Sequence, residues 1–325
     1  MVTYGTAAKA SRASFETRGG ECAPVRLGAR RRLRWGHLAP YSYVAPAAVI
    51  VGVFVVVPIG YSFYLSLMSW DFIRPGPLFV GFDNYRQLFT APDIQRALIN
   101  TLEYTAGTVP LSALVGLAAA VLLNRPLRGR AIFRAAYFAP AVTSTVAMSV
   151  VWAWIYHPQV GLMNALLRMF GAPPLGWLSD PRTAMLALVI MSCWKGLGYD
   201  MVLFLAGLQS VSPELEEAAM VDGATRAQVF RRVTLPLLAP ATLFVLIVST
   251  IDAVQVFTQV SVMTDGGPAG ATDVLVYSLW RHAFQTFEMG YASALAWMVF
   301  MVLLALTALQ MRLFRHAVDG AGGAP

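Results

Sequence analysis

Six side chains able to carry charge or hold a hydrogen-bonded solute sit where the chain is otherwise apolar. Lys195, Tyr199 and Asp200 interrupt an apolar stretch at about 184–208, and Asp252, Gln255 and Gln259 lie in one at about 238–262. On a regular helix Lys195 and Tyr199 share a face, while Asp200 is turned about 140° from Lys195, so these two charges do not pair within one helix. Asp252, Gln255 and Gln259, at i, i+3 and i+7, form a single polar stripe. Their chemistry is hydrogen bonding. Amides and carboxylates hold hydroxyls, and rings such as Tyr199 and Trp297 offer a face to an apolar one, so the set suits a neutral polyhydroxylated solute. The same groups equally suit contacts between helices of two subunits. Trp152, Trp154 and Trp194 are assigned to packing or interface belts. His37, His157, His282 and His316 are scattered without metal-ligand spacing, and no G-x-x-x-x-G-K-[ST] phosphate cradle occurs.

The elements that must position these groups are membrane spans. A composition 57% hydrophobic and 13% charged excludes an ordinary soluble domain, as does a mean hydropathy of +0.60. A membrane helix needs roughly 20 mainly apolar residues. Residues 38–70, 104–124, 135–167 and 289–311 contain no Asp, Glu, Lys or Arg. Six spans are expected, at about 43–69, 100–124, 135–156, 184–208, 238–262 and 289–311. With the N-terminus inside, 17 of the 24 Lys and Arg fall in inner segments and 6 in outer loops, so both termini are expected in the cytoplasm. The Arg30-Arg31-Arg32 and Arg34 run before the first span is read as a lipid-facing topological signal and not as a nucleic-acid site. The polar tail ahead of that span reads as part of a retained signal anchor. Cys22 and Cys193 fall in different compartments of this layout, so no disulfide is expected.

Between the fourth and fifth spans lies a polar segment with its own punctuation. Ser212-Pro213-Glu214 reads as a helix start, Asp222-Gly223 as its break, and Thr225 with Gln228 as a capping box opening a second helix. Leu235-Pro236 ends the unit, and Ala218, Ala219 and Ala224 leave room for a close approach. A rigid helix-turn-helix is expected.

Glu217-Ala218-Ala219, separated by three residues from Gly223 and followed by Val233-Thr234-Leu235-Pro236, resembles the cytoplasmic loop of membrane subunits of ABC importers. The likeness continues through Val80-Gly81-Phe82-Asp83-Asn84-Tyr85, Asn100-Thr101-Leu102, Arg134, Pro140 and Leu205-Ala206-Gly207-Leu208-Gln209. It ends with Thr264, Gly266-Gly267-Pro268 and Gly290-Tyr291-Ala292. In this order the segments are similar to the carbohydrate-uptake branch of these permeases, the maltose and glycerol-phosphate type. Val233 stands where that family more often has Ile, and Asp265 where many members carry a small residue.

That resemblance implies an all-α integral membrane protein of the type I importer permease fold. It divides the chain into a basic cytoplasmic tail (1–37), a first helix with its outer loop (38–96), a permease core (97–313) and a C-terminal tail (314–325). It implies that Glu217, Ala218, Ala219, Asp222, Gly223, Leu235 and Pro236 form the loop on which an ATPase docks. Implied partners are a second homologous permease, two ATPase subunits, an extracytoplasmic solute-binding protein, a sugar-like solute and the lipid bilayer of a prokaryotic plasma membrane. No cofactor is expected on this chain, ATP and Mg belonging to the ATPase subunits, and no enzymatic activity. The alternatives are a glycerol phosphate, polyamine or peptide as solute, or an ion-coupled secondary carrier, which would lack the Glu-Ala-Ala loop and often shows two similar halves.

Overall fold

The computed structural model describes residues 39–71, 76–125 and 128–322, with side chains from 43 to 315. The Arg30 to Arg34 run, Cys22, His37 and Arg74 lie outside the described residues. Two compact units divide between Val55 and Val56. The first contributes α1 (Ala39–Val51), uncharged and containing Pro46, and a π-helical turn follows at Gly52–Val56, whose last residue opens the second unit.

The second unit begins with α2 (Val57–Ser66). A short antiparallel pair, β1 (Met68–Ser69) and β2 (Leu78–Phe79), sets Met68 opposite Phe79. Helices α3 (Asp83–Thr90) and α4 (Pro92–Asn124) follow. Next come α5 (Arg130–Val142), α6 (Thr145–Ile155) and α7 (Leu162–Met169). The 30-residue α8 (Pro181–Ser210) precedes the polar segment of α9 (Pro213–Val221), α10 (Arg226–Val229) and α11 (Leu235–Leu237). The chain ends with α12 (Ala239–Val254), α13 (Thr258–Met263), α14 (Leu275–Phe284) and α15 (Met289–Gly322).

Among the described residues four helices are long and apolar enough to cross a membrane: Tyr43–Ser66, Pro92–Asn124, Pro181–Ser210 and Met289–Arg315. Two more candidates are bent pairs, Arg130–Val142 with Thr145–Ile155 at 98° and Arg226–Leu237 with Ala239–Val254 at 64°. All six expected spans are therefore helical, but the third is not one rod over 135–156. Pro140 brings no N–H to α5, Thr143 Oγ1 bonds back to the Ala139 carbonyl at 2.8 Å, and the chain turns extended at Thr143. The second span starts earlier than 100, because Pro92 and Asp93 open a helix that charge counting alone cut short. The last runs beyond 311, across the expected start of the C-terminal tail.

Packing falls into layers along the bundle. One apolar cluster joins α4, α8 and α12 through Ala113, Ala120, Met201, Phe204, Leu205, Leu238 and Val245. A second gathers Tyr104, Tyr156, Trp177, Leu188, Met191, Val260 and Tyr277. Close crossings replace side-chain volume at several glycines, Gly198 and Gly290 among them. A Cβ on Gly198 would stand 2.2 Å from the Tyr137 carbonyl oxygen, and one on Gly290 1.8 Å from that of Met68.

The family-like segments outside the polar loop hold this frame together. Asn84 Nδ2 donates to the carbonyls of Ser66 and Met68 at 2.8 and 2.9 Å, pinning α3 under the β pair. Asn100 Nδ2 reaches the carbonyls of Gly270 and Asp273, and Thr101 Oγ1 accepts from the Leu275 N–H at 2.9 Å. Asp273 is buried, accepts from Ser278 and pairs with Arg281 at 3.0 Å. Burial pushes its carboxyl above the usual carboxylate range, and Ser278 and Arg281 act against that shift. Asp265, the departure from the family pattern, takes a left-handed φ of 51° and accepts from the Tyr277 hydroxyl at 2.6 Å. Asp tolerates that conformation better than most residues.

Candidate functional site

A cavity of about 450 Å³ opens between α4, α8 and α12. It gathers five of the six polar residues singled out in the sequence: Lys195, Tyr199, Asp200, Asp252 and Gln259. The sixth, Gln255, is exposed and not part of the wall. The expected continuous stripe therefore does not exist. Helix α12 stops at Val254, Gln255 caps its C-terminus, and Gln259 projects from the separate α13. The break has a packing cause. Val256 is 4% exposed, and the Phe257 ring lies 5.6 Å from Trp280 and 6.3 Å from Tyr277, so both side chains leave the helical path for the core.

Lys195 and Asp200 do not pair, as the helical geometry requires. Lys195 Nζ points toward the Ala141 carbonyl at 3.5 Å, the limit for a hydrogen bond, and lies within electrostatic reach of Asp252. Asp200 is 3% exposed and turned inward. Ser112 of α4 donates to its Oδ2, and Ser249 of α12 to its Oδ1 at 3.1 Å. Asp200 thus ties three helices at the wall.

The wall also contains residues that the sequence reading passed over: Tyr104, Thr108 and Ser112 on α4, Ser192 on α8 and Ser249 on α12. Tyr104 donates to Ser192 Oγ at 2.7 Å. A signal for the first three was present. They recur every four residues through the uncharged stretch 104–124, a polar stripe on one helix face. Hydroxyls, one amide, two carboxylates and one ammonium thus surround the space. Trp297 instead packs edge-on against Phe63 at 5.2 Å, away from this wall. Trp152 and Trp194 pack with their rings tilted at 59° and 5.4 Å apart, and Trp154 is exposed.

The polar loop has the expected helix-turn-helix form. Pro213 opens α9, although Ser212 does not cap it. Its hydroxyl bonds the Glu214 carboxylate at 2.7 Å instead. At the far end Gly223 takes φ +87°, its N–H donates to Met220 and the Ala224 N–H to Ala219, which is a Schellman closure. Thr225 and Gln228 form the capping box in both directions. Thr234 Oγ1 bridges to Glu216 at 2.7 Å, fastening the second arm to the first. Leu215, Met220, Val221 and Leu235 remain exposed, as do Glu217 and Ala218, so the loop offers a mixed apolar and acidic face. Among the described residues no three His, Cys, Asp or Glu side chains gather as a metal site.

A helical bundle of membrane-crossing length around a polar cavity, with an ordered polar loop at one end, defines a membrane transport protein. The chain belongs to the family of binding-protein-dependent transport system inner membrane components, whose profile matches residues 112–319. It is 35% identical over 282 residues to the probable ABC transporter permease protein YurN of Bacillus subtilis, covering 86% of this chain and 96% of that protein. It is 33% identical over 279 residues to the trehalose/maltose transport system permease protein MalF of Thermococcus litoralis, covering 86% and 94%. In fold it is similar to a chain of a bacterial ABC transporter involved in the import of the acidic polysaccharide alginate. The TM-score is 0.74 at 23% identity, over 87% of this chain and 98% of that one.

Proposed function

We propose that this permease moves a sugar or sugar derivative across a prokaryotic plasma membrane by alternating access. The observation that carries this reading is the cavity, where hydroxyls of Tyr104, Thr108, Ser112 and Ser192 line the space with Gln259 and Tyr199. Such a wall exchanges hydrogen bonds with a polyol at little desolvation cost, because each group it covers finds a partner. The trehalose/maltose relative supports the solute class. Lys195, Asp200, Asp252 and Gln259 are assigned to the solute path, and Gln255 is not.

Both termini lie in the cytoplasm, consistent with the basic-residue distribution. The loop of Glu217, Ala218, Ala219, Asp222, Gly223, Leu235 and Pro236 then faces the cytoplasm and receives an ATPase subunit. The working assembly contains a second homologous permease, two ATPase subunits that bind ATP and Mg, and an extracytoplasmic solute-binding protein. This chain performs no covalent chemistry and binds no cofactor.

The experiment is to coexpress the chain with a second permease, an ATPase and a solute-binding protein from the same genome. Ligand retained by the binding protein is identified by native mass spectrometry, and uptake is measured in proteoliposomes. Carbohydrate in the mass spectrum and uptake that stops without ATP are expected. Uptake driven by an ion gradient without ATP would overturn the importer reading, and a non-carbohydrate ligand would overturn the solute class.

A further inference from the structure

We infer that the cavity between α4, α8 and α12 is a charge filter: Lys195 and Asp252 hold a neutral polyol between them, and Asp252 turns away anionic solutes such as sugar acids and sugar phosphates. The inference rests on the sugar reading above and narrows it to one charge class. It starts from a difference between the two carboxylates of the wall. Both oxygens of Asp200 are taken, one by the Ser112 hydroxyl and one by that of Ser249, and the side chain is buried. Asp252 lies on the same wall, is exposed there, and makes no hydrogen bond and no ion pair with any described residue.

Lys195 of α8 acts on Asp252 electrostatically without closing an ion pair. Its own contact, the Ala141 carbonyl at 3.5 Å, stands at the edge of hydrogen-bonding range. An ammonium and a carboxylate that face one space without meeting leave strong donors and acceptors free for a guest. A sugar hydroxyl is both donor and acceptor. It donates to Asp252 and accepts from Lys195, so one hydroxyl or an adjacent pair spans the gap with a charge-assisted bond at either end.

The charge balance decides what else can enter. The wall has one cation, Lys195, and two acidic side chains, Asp200 and Asp252. With Asp200 protonated the sum is zero, with Asp200 ionised it is negative, and in neither case is it positive. The backbone does not alter this. The broken third span brings the C-terminal end of α5, at Ala141, and the N-terminal end of α6, at Thr145, to the same wall. Their helix-end partial charges are of opposite sign and offset each other. An anion therefore gains from Lys195 no more than it loses to Asp252, and it gives up its water as well. A neutral polyol meets no such penalty.

The test reads the field directly and needs no knowledge of the natural solute. In the detergent-solubilised complex, with Cys22 and Cys193 replaced by Ser, Thr145→Cys places a reporter thiol in the wall. Its modification rates by cationic trimethylammonioethyl and anionic sulfonatoethyl methanethiosulfonate are each divided by those of a free thiol. The cationic reagent should react at least as well as the anionic one. Asp252→Asn should shift the ratio about tenfold toward the anion, and Lys195→Met about as far toward the cation. The double variant should return it near its starting value. An unshifted ratio in both single variants, or an anionic preference before any substitution, would overturn the filter. Glucose and glucuronate at equal concentration then compete with the uncharged hydroxyethyl reagent. Glucose should slow modification and glucuronate should not, whereas in Asp252→Asn glucuronate should protect too. Equal protection by both sugars in the unsubstituted cavity would also overturn the filter. If the reagent ratios shift as expected and glucose gives no protection, the sugar reading fails while the charge filter stands.

Discussion

Substituting Gly223 isolates backbone conformation from packing. Its φ of +87° lies in the left-handed region, and a Cβ built there meets nothing within 4 Å. Alanine therefore introduces no clash, only the cost of a left-handed L-residue, about 1–2 kcal/mol. That cost lowers the population of the Schellman turn by a factor of about 5–30 relative to its competitors. Asparagine, more tolerant of left-handed angles, should lose much less. Proline fixes φ near −65° and deletes the N–H that donates to Met220 at 3.1 Å, so it should be worst. The expected order of ATP-dependent uptake in vesicles is Gly, Asn, Ala, Pro. Copurification of the ATPase subunit should fall in the same order, and membrane insertion should stay constant. An alanine variant that transports like glycine would refute the claim that this turn must hold its shape. Asparagine as poor as alanine would show that something other than φ is at stake.

Gln259→Leu should raise the apparent half-saturation for uptake about two- to tenfold, the worth of one lost hydrogen bond, with basal ATPase activity intact. Gln255→Leu, which does not touch the cavity, should leave uptake within about twofold; equal effects of the two would refute the division. Gly198→Ala should cost about 1–3 kcal/mol, because its Cβ meets a backbone carbonyl that cannot rotate away, and a detergent-solubilised melting curve at the wild-type temperature would refute the crossing. Single cysteines at Ser212 and Gly267, in a background without Cys22 and Cys193, should react with an impermeant maleimide from opposite sides of the membrane. Labelling of both from outside intact cells would refute the orientation.

What the sequence discloses depends on whether a feature is local. The turn at Gly223 and the capping box of Thr225 with Gln228 were legible because each is satisfied within a few residues of itself. The number of spans was legible because hydrocarbon demands a length of apolar chain whatever the neighbours do. Ser212 shows the limit even at short range, since Glu214 competes for the hydroxyl that capping would have used. The stripe of Asp252, Gln255 and Gln259 failed for a non-local reason. No Pro or Gly marks 254–258, and the helix ends there because Val256 and Phe257 are drawn into a core built with Tyr277 and Trp280.

That break also changes what the cavity can do. On a continuous helix, Asp252 and Gln259 would be tied to one rigid rod, and any tilt of α12 would carry both. In the structure Asp252 belongs to α12, whereas Gln259 belongs to α13, which packs on α6 and the aromatic core. A tilt of α12 would therefore move Asp252 relative to Gln259. On the proposed function, a solute held between them would lose one of its two anchors as α12 tilts. The interruption that sequence periodicity could not reveal is what lets the two side chains move apart.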